Sequence, residues 1–154
     1  MTSDLKQRLA DLGIELPAVS GPFGAYVPAK RVGNLVYTAG TLPMENGQLL
    51  AKGQVPSRCS PERARAAARQ CVINALAAVQ GTGVELNHIM GVVRVGAFVN
   101  SDASFTDQPK IANGASEFLL ELFGDSGRHV RTAVGTNTLP LDAAVEIEFV
   151  FQVM

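Results

Sequence analysis

Arg131 and Glu146 are the two residues whose types and placement in this chain suggest chemistry. Each stands in a strand-like run, and a turn through Leu139, Pro140, Leu141 and Asp142 joins the runs, so folding back is expected to bring cation and carboxylate to one pocket. A guanidinium stays protonated and grips a carboxylate through two parallel hydrogen bonds, fixing its orientation as a lysine would not. A glutamate beside that cation should titrate below its usual range, stay ionised, and orient a water or take its proton. Each residue also has a plainer reading. Most arginines serve in surface or interface ion pairs, and Glu146 sits with Glu148 on the polar face of a cleanly alternating strand, where solvation is the ordinary outcome.

The elements that must position this pair can be read from spacing. Leu5, Leu9 and Leu12 recur at helical intervals among charges, and Gly13 with Pro17 ends the pattern, so a short amphipathic helix opens the chain. The segment from Gly21 to Gly33 is irregular and rich in Gly and Pro, and Tyr26 is its one phenol. A tyrosine so near a strand start is commonly a packing residue. NLVYTAGTL reads as a strand ending at Gly40, followed by a turn at Glu45, Asn46 and Gly47. Ser60, Pro61 and Glu62 supply an N-cap, a first-turn proline and an early acid for a helix whose stripe runs through Ala64, Ala68, Cys71, Val72, Ala75, Leu76 and Val79. A strand at 91–99 carries Val93, Val95, Ala97 and Val99 on one face and Val92 and Phe98 on the other. A second helix is expected from about Pro109 to Gly124, with Asn113 on the face away from its core stripe and next to Gly114, which costs about 1 kcal/mol of helix propensity. The last run, VEIEFVFQV, alternates as a half-buried strand.

This order predicts an α+β domain spanning 1–154, with residues 1–16 as a helical extension and two main helices on one face of a mixed sheet. Two helices cover one face only, yet the strand at 91–99 is apolar on both, so self-association is expected to bury the second.

Composition narrows the function classes. At 154 residues the chain can bury about two thirds of its unfolded surface without staples. Its net charge of −1 offers nothing to nucleic acid, and no run approaches the roughly 18 apolar residues of a membrane span. The N-terminus lacks the apolar core of a signal peptide, so the expected address is cytoplasmic. Cys59 and Cys71 form neither a disulfide framework nor a CxxC pair, and with two histidines, His88 and His129, no metal site is expected. No Walker loop or GxGxxG fingerprint is present, so no cofactor is expected. His129 is read as an exposed strand-end residue outside the site.

Several stretches together, GNLVYTAG at 33–40, FVNSDASFTDQPKIANGASEF, the Arg131–Thr132 step and LPLDAAVEIE, resemble the Rid family of reactive-intermediate imine and enamine deaminases, also called YjgF-like or L-PSP ribonuclease-like. The resemblance runs from about Gly21 onward, with the N-terminal helix and QPKIANGASEFLLELFG marking a divergent branch. It implies a chorismate-mutase-like α+β fold assembled as a homotrimer with ligand clefts between subunits. By position, Arg131 matches the arginine that clamps the substrate carboxylate, and Glu146 matches the glutamate that holds the attacking water. Tyr26 matches the pocket tyrosine by its spacing to Gly33–Asn34, with Phe23 as the rival by local motif, and Asn113 matches the pocket asparagine with a one-residue shift. Thr41, Ala133 and Ala25 depart from the family's frequent Gln, Cys and Pro.

The implied activity is cofactor-independent hydrolysis of small 2-imino or 2-enamine acids to ammonia and a 2-keto acid. A non-catalytic trimeric module that binds 2-keto acids is the alternative. The family's older ribonuclease label finds no basic aromatic surface or histidine pair here.

Overall fold

The structure, a computed structural model, describes residues 2–19 and 24–154, so Phe23 lies outside the described residues. Helix α1 (Leu5–Asp11) buries Leu5 and Leu9, and Arg8 Nη1 donates to the Leu122 carbonyl at 2.9 Å, which docks the extension on the domain. Strands β1 (Ala29–Val32) and β2 (Leu35–Thr38) form a hairpin, so part of the segment expected to be irregular is extended. A small hairpin of β3 (Met44–Glu45) and β4 (Gln48–Leu49) turns through Asn46 and Gly47, both at positive φ. Then follow α2 (Pro61–Gln80), β5 (Ile89–Asn100), α3 (Gln108–Phe123), β6 (Val130–Thr136) and β7 (Val145–Val153).

The α2 start forms as its residues dictate: the Ser60 side chain accepts the Arg63 N–H at 3.2 Å, with Pro61 in the first turn. The main sheet runs β1-β2-β7-β5-β6. In the main sheet β5 and β6 pair in parallel, with α3 as their crossover; β2 and β5 both run antiparallel to β7, so α2 links two strands of like direction with β7 between them. Both crossovers step the same way across the sheet, and the right-handed rule puts both helices on one face. Val145, Ile147, Phe149, Phe151 and Val153 turn to that face and are buried against them.

Two expectations are corrected. The strands carrying Arg131 and Glu146 do not pair with each other: β5 lies between them, parallel to β6 and antiparallel to β7. The turn at 139–142 forms, with Leu141 and Asp142 at φ near +60°, but it carries the chain past the end of β5, and Arg58 pins Asp142 with bonds of 2.7 and 2.9 Å. Within β5, register shifts fall at Ile89/Gly91 and Val92/Arg94, and an extra residue at such a shift reverses which side chains face the core. Val92 is therefore buried beside Val95, while Val93 is exposed.

The face opposite the helices carries Glu146, Glu148, Val150 and Gln152 from β7 and, in register with them, exposed Val32, Tyr37, Val130 and Val134. Gly114 explains how the helices meet. A Cβ there would lie 2.1 Å from the Arg65 carbonyl oxygen, so glycine admits the α2 backbone directly against α3.

Candidate functional site

Arg131 pairs in register with Val95, a fully buried residue of the helix face, and its side chain reaches α3 on that side. Its Nη1 donates to Asn113 Oδ1 at 2.8 Å and to Ser116 Oγ at 3.1 Å. Asn113 and Ser116 are three residues apart, hence neighbours on one helix surface. Ser116 Oγ also lies 2.8 Å from His129 Nε2, and His129 Nδ1 lies 2.7 Å from the Gly127 carbonyl. Arg131 enters no ion pair among the described residues. The plainer reading of Arg131 as half of a salt bridge is therefore not realised within the described chain.

Glu146 pairs with Phe98, three residues along β5 from Val95, so alternation turns it to the opposite face. Its half-buried carboxyl lies against the Gly40 backbone: a Cβ on Gly40 would stand 2.9 Å from Cδ and 3.0 Å from Oε1. Glu148 lies over Gly96 in the same way. Burial raises the Glu146 pKa above the ordinary carboxylate value, and the neighbouring Glu148 raises it further. The expectation of a lowered pKa is corrected, because the arginine that would lower it faces the other side of the sheet.

Tyr26 is exposed and lines a cleft of about 960 Å³ together with Ala39, Gly40 and Thr41. That cleft includes Gly40, against which Glu146 rests, but neither Arg131 nor Asn113. The four expected residues thus do not gather in one place. Arg131 and Asn113 touch on the helix side of the sheet, Glu146 stands on the opposite face, and the cleft that Tyr26 lines with Gly40 is bordered by Ala66, Arg69, Ile73 and Asn74 of α2. Ala133, two residues beyond Arg131, packs against the core, and Thr41 donates its hydroxyl to the Ile147 carbonyl at 2.6 Å.

Ser116 and His129 were missed as companions of Arg131. Ser116 has only its helical spacing from Asn113 to betray it, and His129 lies just ahead of β6, where its aim depends on how Gly127 docks.

Both thiols are buried and free, and burial raises their pKa values, so neither favours a thiolate. Among the described residues no group of three or more His, Cys, Asp or Glu is arranged to hold a metal, and no helix is long and apolar enough to cross a membrane.

Residues 6–153 match the family described as "YjgF/chorismate mutase-like, putative endoribonuclease". Protein TCP17 of Trypanosoma cruzi is 38% identical over 141 residues, covering 91% of this chain and 88% of that protein. A 2-iminobutanoate/2-iminopropanoate deaminase of Dermatophagoides farinae is 31% identical over 136 residues, covering 88% and 91%. The crystal structure of Atu1372 from Agrobacterium tumefaciens, a protein of unknown function, superposes with a TM-score of 0.87 at 37% identity, covering 97% and 91%.

Proposed function

The chain belongs to the YjgF/chorismate mutase-like family, and from that premise we propose that it is a cofactor-independent hydrolytic deaminase of small 2-imino and 2-enamine acids. The observation that carries this reading is the state of Arg131: held by two neutral oxygens at Nη1, with no carboxylate partner among the described residues. A cation so prepared suits an anion from outside, and a carboxylate matches its remaining donors. Likeness to the mite 2-iminobutanoate/2-iminopropanoate deaminase supports the same substrate class.

In this reading Arg131, steadied by Asn113, binds the substrate carboxylate, and Glu146 holds the water. Water oxygen bonds to the imine carbon as the C=N π pair moves to nitrogen; Glu146 takes the water's proton. The protonated carboxyl returns that proton to nitrogen, giving a carbinolamine; the remaining hydroxyl proton then passes through the Glu146 carboxyl to the amine nitrogen as the O–H pair forms the C=O bond, the C–N bond breaks with its pair on nitrogen, ammonia leaves, and a 2-keto acid remains. An enamine enters by tautomerising to the imine. A raised Glu146 pKa favours this exchange, since a carboxyl poised nearer neutrality both accepts and donates. Imine hydrolysis is intrinsically easy, so positioning supplies much of what is needed.

Because Arg131 and Glu146 face opposite sides of the sheet, a pocket containing both takes one from each of two copies. The exposed apolar residues Val32, Tyr37, Val130 and Val134 on the helix-free face supply a surface for such copies, and a homotrimer closes it. Tyr26 then lines the pocket beside Gly40. The proposed setting is the cytoplasm.

The test is ammonia and 2-keto acid release from freshly generated 2-iminopropanoate, followed for the parent and Arg131→Ala. Acceleration by the parent alone is the expected result. No acceleration by the parent, or equal acceleration by both, overturns the proposal. Calorimetric binding of pyruvate that Arg131 controls, without turnover, identifies a binding module instead.

A further inference from the structure

The hydrogen bonds around Arg131 have a direction that can be worked out atom by atom. The Gly127 carbonyl only accepts, so His129 Nδ1, at 2.7 Å, carries its proton. In the ring that carries one proton, on Nδ1, Nε2 is bare and accepts from Ser116 Oγ at 2.8 Å. With its proton committed to His129, the Ser116 oxygen is an acceptor toward Arg131 Nη1 at 3.1 Å, while the second Nη1 hydrogen goes to Asn113 Oδ1 at 2.8 Å. Both Nη1 hydrogens are thus spent. Nε and Nη2 remain, and these lie along one edge of the guanidinium with the spacing of two carboxylate oxygens.

The chain's packing keeps this arrangement in place. A Cβ on Gly127 would lie 2.5 Å from the Leu119 carbonyl oxygen, so the loop before β6 is pressed on the α3 backbone. That contact fixes where the Gly127 carbonyl points, and through it the imidazole.

We propose that Ser116 and His129 are positioning residues: they hold Nη1 so that Arg131 offers its Nε/Nη2 edge to a planar carboxylate. This rests on the carboxylate-clamp reading given above and deepens it. The relay selects for two coplanar oxygens approaching side-on, and so for a carboxylate over a primary amide, which presents only one acceptor to the pair of donors.

The experiment compares the full-length parent with Ser116→Ala, Ser116→Thr and His129→Ala, each first checked for a parent-like circular dichroism spectrum. Pyruvate and pyruvamide are the probes, titrated by calorimetry. Ser116→Ala and His129→Ala are expected to weaken pyruvate binding about tenfold, the worth of a hydrogen bond to a charged group. In turnover the loss should fall on KM, with kcat nearly unchanged, because the residues aim the clamp and do not touch the reacting carbon. Ser116→Thr keeps the hydroxyl and should restore parent affinity, which a merely structural serine would not predict. Unchanged pyruvate affinity in both alanine variants, or failure of threonine to rescue, overturns the proposal.

Nitrogen NMR of the parent without ligand separates this outcome from failure of the deaminase reading. The expected signals are a His129 ring protonated at Nδ1 only, and restricted rotation about the Arg131 Cζ–Nη1 bond that Ser116→Ala releases. If the parent binds no pyruvate, these signals still decide the positioning role. A ring protonated at Nε2 only, or an unchanged Arg131 rotation in Ser116→Ala, refutes it.

Discussion

Arg131 and Glu146 lie on strands that flank β5 and point to opposite faces of one sheet. A small substrate cannot reach both within one subunit, so the proposed pocket must be shared. Arg131→Ala and Glu146→Gln, each inactive alone, should regain activity when their subunits are exchanged. With even mixing, about a quarter of parent turnover is expected, the chance that each of the two contributing subunits carries its own residue intact. Turnover assays on the mixture that stay at zero would exclude a shared site.

Glu146 should also reveal itself in stability. Its folded-state pKa is raised, by burial first and Glu148 second. The unfolded chain therefore loses this proton at lower pH than the folded one, so the parent loses stability as pH climbs from the ordinary carboxylate value near about 4.3 through the higher folded value. Glu146→Gln has no such proton. Its melting temperature should match the parent's near pH 3.5 and exceed it at pH 7 by no more than about 2–4 °C, since solvent screens a half-exposed carboxyl. Turnover should fall by about 10²–10⁴ in the same variant. A melting difference independent of pH would contradict the assignment.

Gly40 tests whether the Glu146 placement matters. It is not among the residues at positive φ, so alanine fits its backbone, but the new Cβ would stand 2.9 Å from Glu146 Cδ. The obstructing atoms are the end of a flexible side chain, which can swing aside at little cost to the fold. Gly40→Ala should melt within about 2 °C of the parent and yet lose up to about a hundredfold in turnover, the penalty of a group misplaced by about 1 Å. Parent-like kinetics would mean that the carboxyl is not needed where it rests.

What could be read from the chain beforehand followed how local each feature is. Ser60, Pro61 and Glu62 specify the α2 start through bonds within one turn, and β7 alternation survives because the extra residues at its two register shifts with β5 lie in β5, leaving β7 itself regular. The β6–β7 hairpin was misread because Leu139–Asp142 does turn, yet strand order depends on which distant edge is free, and no spacing near 139–142 encodes that β5 intervenes. In β5 the grouping of Val95, Ala97 and Val99 apart from Phe98 holds, whereas Val92 and Val93 exchange faces because the register shift at Val92/Arg94 breaks the alternation that was extended through them. Of the candidate site, Arg131 stood out by residue type and Asn113 only through the family resemblance; their contact depends on how α3 docks beside β6, and that of His129 on the contact of Gly127 with α3.

Gly114 offers the sharpest trial of the helix packing that supports Asn113 and Ser116. In an isolated helix, alanine for glycine is worth about 1 kcal/mol in favour of the variant. Here the added Cβ would sit 2.1 Å from the Arg65 carbonyl oxygen and 2.9 Å from its carbon, which are backbone atoms of α2 that no rotamer can move. Relief requires α2 and α3 to separate, opening the core that Ala68, Val72, Ala115 and Leu119 fill. Overpacking of this kind costs about 1–3 kcal/mol, and a backbone obstacle belongs at the upper end, so the net effect is destabilising by about 1–2 kcal/mol. Gly114→Ala should therefore lower the melting temperature by about 3–8 °C. Because Asn113 is the adjoining residue, the shift should also loosen the Arg131 clamp and weaken pyruvate binding. A variant that melts at or above the parent temperature would show that the helices do not meet backbone to backbone at this point.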